Sequence, residues 1–519
     1  VWEAPWGEYF HVISSMTLWE EEIEKMRQFA LFRADHNRQH LIDHYDLTGE
    51  ISMTSKSAGG YVRVNTVKLP EGQHSGSYFK DIPLWLEAVP KPGRVFSHWK
   101  VNVTLFNEDV VSIDPTEDLD VEAVFGYDCV AAIPGLVVTD LTLDNGASPW
   151  LAGTDIIIFP GRKLSVEPGV EILMPDSCCI IVLGELEVMG TEMQPCTIRP
   201  YTEIKASRWG AICIQDATGP VVLNHLNIEG ASHGRNKQLF KAGITSLQSD
   251  VTLNHVSLLG ADFPFYSEYG NITILNSTFT SDKTCDMINV KYAGSAIVEN
   301  CIIKGNEYPD TDGIDYDQIG DGIIRNNIIS GFAGLNSDGI DIGEGATGIL
   351  IEGNRILNCT DKGISVGQAS TTVIRRNFIT GCNLGVAVKD SLSYAYIDQN
   401  TFYGNNIAVA CFEKNWGVGG GTADVTNSIL SKCRTSPLMV DSLSALQVRY
   451  SLSDTDPLPG IGNIVDDPVF RKPLVMNFEL KGSSPCIDAG DPASPPDPDG
   501  SPADMGAYFV FQEPPEVPV

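Results

Sequence analysis

Three segments, DMINVK (286–291), DGIDYD (312–317) and DGIDIG (338–343), follow one another at intervals of 26 residues. An isoleucine holds the same place in each (Ile288, Ile314, Ile340), and a polar side chain follows it (Asn289, Asp315, Asp341). Strand alternation sends the isoleucines inward and the polar residues outward. A unit that returns at a fixed period of this length marks a solenoid of stacked turns.

The repeat extends well beyond these segments. An Asn followed by small or apolar residues recurs in LNHLNI (Asn224), LNHVSL (Asn254), LNSTFT (Asn276), ENCIIK (Asn300), RNNIIS (Asn327), GNRILN (Asn354), RNFITG (Asn377), QNTFYG (Asn400) and TNSILS (Asn427), at steps of 22 to 30 residues. The intervening runs are short, alternating and β-branched, with no amphipathic helix, which selects a parallel β-helix over a leucine-rich repeat. The Asn side chains are expected to stack as a hydrogen-bonded ladder at one corner, a structural role. The opening PGRKLSVEPGVEILM (160–174) and the closing GNIVDDPVF (462–470) and SSPCIDAGDPASPPDPDGSPADMGAY (483–508) resemble the first and last rungs of bacterial right-handed parallel β-helix proteins. That resemblance implies the fold over residues 129–512 and leaves the chemistry open, because lyases, hydrolases, esterases and adhesins share it.

Upstream, residues 17 to 45 read as a helix. Thr17 and Glu20 form a capping box, and Trp19, Ile23, Met26 and Ala30 follow the helical period. His36, His40 and His44 share one face without the His-Glu-x-x-His arrangement of zinc proteases, so a solvated face is expected. Residues 47–128 alternate between Gly and Pro turns, as a small all-β module does. The helix together with YDLTGEISMTSKSAGGYVRVN, WLEAVPKPGRVFSHW and VEAVF resembles the tail region of bacterial secreted proteins that carry a CotH-type, spore-coat-kinase-like domain. None of that family's kinase residues has a counterpart here. The resemblance implies a secreted or cell-surface setting and, as partners, other segments of the same precursor or a surface layer.

A chain of 519 residues is too long for one ordinary core, and its 49 glycines and 30 prolines are spread throughout, as in an elongated repeat. With 35 Lys and Arg against 67 Asp and Glu, the net charge of −32 excludes nucleic acid and anionic membranes as partners. No apolar run reaches the ~18 residues that span a bilayer. A leader, if one exists, is expected upstream of Val1, and EPPEVPV (513–519) reads as a Pro-rich linker. The twelve cysteines form no CxxC pair. Cys359 and Cys382 recur at one point of successive repeats, where a bridge and a ladder of thiols are both open.

Chemistry concentrates on the outward face of the repeats from 286 to 390. Asp315 and Asp341 stack about 4.8 Å apart and repel unless a cation, a neighbouring Lys or a proton compensates. A Ca²⁺ ion would draw on Asp312, Asp315, Asp338 and Asp341 as oxygen ligands. A retained proton would instead make a general acid of one carboxyl, with Asp315, Asp317 and Asp341 as the catalytic set of a glycoside hydrolase. A Lys beside a calcium-bound carboxylate suits β-elimination from an acidic sugar, with Lys291, Lys362 or Lys389 as base. Asn289, Lys291, Asp361 and Asp390 are expected to contact substrate, and Tyr316 to offer a stacking surface, as are Tyr266, Tyr269, Tyr292, Tyr308 and Phe332. Asp-Gly at 312–313 and 338–339 is also ordinary turn chemistry. Near the end, Asp497, Asp499 and Asp504 lie at calcium-loop-like spacing without the terminal Glu, which fits a structural cation or a plain turn. Two functions follow: binding and cleavage of a polysaccharide or cell-surface glycan on a calcium-assisted acidic face, or a non-catalytic structural or adhesive module of a large surface protein.

Overall fold

The computed structural model describes residues 16–91, 94–127, 131–201 and 208–512. The chain divides into two units, Val1–Asp128 and Cys129–Val519. Cys129, the Thr17 side chain and the Pro-rich segment 513–519 lie outside the described residues.

In the first unit a helix, Met16–Tyr45, precedes two small sheets. One orders the strands Gly72–Phe79, Glu50–Ala58, Leu119–Tyr127, Arg94–Val101 and Thr104–Phe106, and the other Val67–Leu69, Gly60–Val64, Leu84–Pro90 and Val110–Ile113. Glu50–Ala58 alternates buried and accessible residues, so Ile51 and Met53 enter a core with Leu86, Trp99 and Val121. His36, His40 and His44 are exposed, in keeping with a solvated face.

The second unit is a parallel β-helix. Each turn contributes one strand to a 13-stranded sheet and further strands to a 26-stranded one. Ile314–Asp317, Asp321–Arg325 and Ile328–Ser330, for example, make one turn before Ile340–Gly343 begins the next. Along the 13-stranded sheet Ile288, Ile314, Ile340, Ile364, Val386 and Val409 lie in register and are fully buried, so the core is a column of aliphatic side chains.

The corner ladder differs in detail from the sequence expectation. Asn327, Asn354, Asn377 and Asn400 do stack: each backbone N–H donates to the side-chain oxygen of the next rung at 2.9 to 3.1 Å. The last of these donations, from Asn400, goes to the Ser428 hydroxyl. Upstream the ladder runs through Cys301 and Ser277. Asn276, Asn300 and Asn427 sit one residue earlier with φ of 51°, 57° and 49°, and Asn224 and Asn254 two residues earlier, inside strands. Asn suits both the left-handed corner and the ladder, so adjacent positions compete for the same residue type.

All described cysteines are free thiols, and Cys359 and Cys382 are buried in the core. Ile464–Val465 pairs in parallel with Leu452–Ser453 as the last strand of the 26-stranded sheet, and the chain then leaves the stack. The C-terminal segment packs along the flank, where Phe470, Phe478, Cys486 and Met505 cover Phe378 and Ile429, and the backbone N–H of Ala507 donates to Thr401 Oγ1.

Candidate functional site

Register brings together most of the polar residues singled out from the sequence. Asn289, Asp315, Asp341 and Ser365 are direct neighbours on successive strands, and Lys291, Asp317 and Gly343 form the next column. At the strand entrance, Asp286, Asp312 and Asp338 form a third column.

The entrance column is tied to the backbone. Asp286 accepts from the N–H of Asp312, Asp312 from that of Asp338 (2.7 Å) and Asp338 from that of Lys362 (2.9 Å). Each aspartate thus caps the next rung, as the turn reading of Asp-Gly allows. Burial, then the neighbouring Asp338 and Asp286 charges, push Asp312 up to about 9. Asp286 is also raised, again chiefly by burial. Asp338 is held to about 6, burial being partly offset by the ammonium of Lys362.

In the outward column, Asn289 Nδ2 donates to both Asp286 (2.7 Å) and Asp315 (2.6 Å), which leaves one oxygen of Asp315 unclaimed by any protein donor among the described residues. Burial, then the Asp286, Asp317 and Asp341 charges, raise the pKa of Asp315 well above its ordinary value, which favours its protonated form. Asp341 keeps 31% of its side chain exposed and faces Lys389 Nζ at 3.8 Å. Lys389 reaches it by lying back across Gly367, where a Cβ would come within 3.0 Å of its Cε. Burial draws the pKa of Lys389 down. Two buried polar atoms of this column, Asn289 Oδ1 and Ser365 Oγ, have no partner, and such atoms are costly to leave unpaired.

Several residues expected in the site are placed elsewhere. Tyr316 follows Asp315 on the strand, so it points into the core and is fully buried, as is Phe332, and it offers nothing to a sugar. Lys362 is buried between Asp338 (3.3 Å) and Asp361; these carboxylates outweigh desolvation and raise its pKa, the opposite of what a general base needs. Asp317 is buried and paired with Lys291 at 2.5 Å, which removes it from the catalytic set and Lys291 from substrate contact. Asp390 is buried and accepts from the backbone of Lys414 and Asn415 (2.8 Å each) and from Asn415 Nδ2 (2.6 Å), so it anchors a loop instead of meeting substrate. Asp497 accepts from Arg376 and the N–H of Asp504, Asp499 from Ser501 and Gln512, and Asp504 from Asp488 and Val510. That is turn chemistry with the carboxylate oxygens already engaged. Among the described residues no group of three or more His, Cys, Asp or Glu is arranged to hold a metal ion.

A cleft of about 800 Å³ lies on another flank, lined by Arg325, Glu352, Arg376, Arg471, Tyr508 and Phe511 among others. Its charges are satisfied within the fold: Arg325 by Glu299 (3.1 Å), Arg376 by Asp497 (3.2 Å) and Arg471 by Glu479 (3.5 Å). The carboxylates beside Asp315 are the group left without enough counter-charge.

Parallel β-solenoid architecture defines the class of this protein, and it stands on the strand pairings described above. Residues 242–422 match the family described as periplasmic copper-binding protein (NosD). The only His in that stretch is His255, its ring stacked on His225 at 4.3 Å, and Met287 and the Cys side chains are buried in the interior, so the residues present do not form a copper site. Over 81 residues, 16% of this chain, it is 32% identical to "Protein bark beetle" of Drosophila melanogaster, and the match spans 2% of that protein's length. Among solved structures it is similar to the Dettilon tailspike protein (14% identity, TM-score 0.41, covering 56% of this chain and 61% of that one). It is also similar to the periplasmic alginate epimerase AlgG (12% identity, TM-score 0.38, covering 61% and 78%).

Proposed function

We propose that the β-helical unit binds and hydrolyses a polysaccharide on the face carrying Asp315 and Asp341, with Asp315 as general acid. The observation that carries this reading is the placing of Asp315, half-buried and with its pKa raised by burial, beside a solvent-accessible Asp341 on the next rung. Two carboxyls in unlike environments are what glycosidic hydrolysis requires, one to protonate the leaving oxygen and one to attack or to activate water. Lys389 positions Asp341 and is the one lysine of this face whose pKa is lowered, so it is the base if the reaction is an elimination.

Ca²⁺ belongs to this reading only as a competitor for the proton on Asp315, since a cation between Asp315 and Asp341 would neutralise the same charge. The CotH-type resemblance of the first unit supports an extracellular or cell-surface setting. A second reading, a non-catalytic structural or adhesive rod, draws support from the entrance column, whose carboxylates stiffen successive turns whether or not chemistry occurs.

The test is incubation of the whole chain with neutral and uronate-containing polysaccharides, read by new reducing ends and by the ultraviolet absorbance of unsaturated products. Reducing ends without absorbance, lost in Asp315→Asn and Asp341→Asn, are the expected result. Absorbance would transfer the chemistry to Lys389, and no cleavage of any glycan would leave the rod.

A further inference from the structure

Along one border of the 13-stranded sheet, every strand around the acidic face ends in a left-handed residue: Tyr269 (φ 60°), Tyr292 (58°), Gln318 (52°), Glu344 (53°), Gln368 (54°) and Asp390 (65°). Consecutive members are held by rung-to-rung backbone bonds, such as Tyr269 N–H to Lys291 O and Tyr292 N–H to Asp317 O. The two aromatic members stack, centroids 4.8 Å apart and planes 12° from parallel, and Tyr269 is 56% exposed. They lie on the rungs just before that of Asp315.

On the far side of the acidic face, the loop after Ile407–Phe412 presents Trp416, 96% exposed. That loop is fastened. Asp390 accepts from the backbone of Lys414 and Asn415, Glu413 from that of Gly417 (2.9 Å) and Gly419 (2.8 Å), and Asp441 from that of Glu413 (2.7 Å). A large apolar ring held out into water by so many bonds is unfavourable for the isolated chain and becomes favourable when a ligand covers it.

We infer that Tyr269 with Tyr292 and Trp416 are aromatic subsites for one extended neutral glycan lying along the solenoid axis, bracketing the Asp315–Asp341 pair. The inference rests on the hydrolase reading and adds the substrate class and its direction. From the rung of Tyr292 to that of Phe412 is five strand spacings, about 24 Å. A glycan offers flat C–H faces at regular intervals to such rings. The class is neutral because the three lysines on the strands of the face are already paired, Lys291 with Asp317, Lys362 with Asp338 and Lys389 with Asp341, which leaves exposed Lys414 on the Trp416 loop as a single further cation against several carboxylates. A polyuronate would meet surplus carboxylates there, while a neutral chain keeps the stacking and forfeits no charge.

The experiment is binding of the whole chain to an array of cello-, laminari- and xylo-oligosaccharides and oligogalacturonates, followed by calorimetry on the best of them. Wild type is compared with Trp416→Ala, with Tyr269→Ala/Tyr292→Ala, and with Asp315→Asn. We expect a neutral oligosaccharide to bind, with affinity falling roughly ten-fold in each aromatic variant. Thermal stability should be unchanged in Trp416→Ala, and longer oligomers should lose more than short ones. Binding that ignores both aromatic variants, or that selects oligogalacturonates, overturns the subsites while leaving the hydrolase reading in place. No binding to any member of the array removes both.

Discussion

Lys389 lies back over Gly367 to bring its ammonium within 3.8 Å of Asp341, two strands away in the sheet. Asp341 therefore faces a cation on one side and, on the other, Asp315, whose pKa burial raises. Replacing Lys389 by Met keeps the apolar stem and deletes the charge. On the hydrolase reading, Lys389→Met lowers kcat by one to two orders of magnitude with the fold intact, and the alkaline limb of the pH–rate profile shifts. An unchanged profile would make Lys389 merely structural.

Acidic titration of the entrance column sets the pH dependence of stability. Asp312 is raised to about 9, and Asp286 and Asp315 are raised as well, so the folded state binds their protons more tightly than the unfolded chain does. The stabilisation is complete below the ordinary carboxylate range and is lost as pH rises through the folded values. The melting temperature should fall from pH 4 towards pH 9. Asp312→Asn, which retains a carbonyl to accept the Asp338 N–H, should flatten that slope, as thermal denaturation across the range will show.

Neighbouring rungs space the strands that carry Asp315 and Asp341 about 4.8 Å apart. Carboxyls that keep this spacing stand close to the separation of about 5 Å at which the second carboxylate acts as nucleophile, and too close for the intervening water of an inverting enzyme. The anomeric configuration of the product should be retained, which proton NMR of the early reaction reads directly.

The corner ladder is expected to dominate local stability. Asn354 Nδ2 donates to Asn377 (2.9 Å) and to the Ile324 carbonyl (2.8 Å), and its oxygen accepts from the backbone and side chain of Asn327. Asn354→Ala leaves these buried partners unsatisfied and should cost about 3 kcal/mol or more in denaturant unfolding. Asn300→Ala, at the accessible corner, should cost about 1 kcal/mol or less.

Tyr316 is buried with its hydroxyl unpartnered. Tyr316→Phe removes an unsatisfied polar atom at constant shape and should stabilise the unit by about 1 kcal/mol while leaving glycan binding unchanged. A loss of binding would mean that the side chain does reach the face.

The parallel β-helix and the alignment of Asn289, Asp315 and Asp341 were legible because one strand pattern returns at a constant interval, and strand alternation is fixed by the backbone alone. The ladder was displaced by one residue at Asn276, Asn300 and Asn427, since Asn serves a left-handed corner as well as a buried cap. Tyr316 was misread although the same alternation that turns Asp315 outward turns it inward. What only the tertiary structure decided was how each charge is met. Lys362 and Lys291 are consumed by aspartates on neighbouring rungs, Asp390 holds a loop, and Trp416 is fixed in the open by Glu413 and Asp390. Periodicity determines which residues share a face. Burial and partnership depend on side chains from rungs more than 20 residues apart in the chain, and only folding brings those to within a few ångströms.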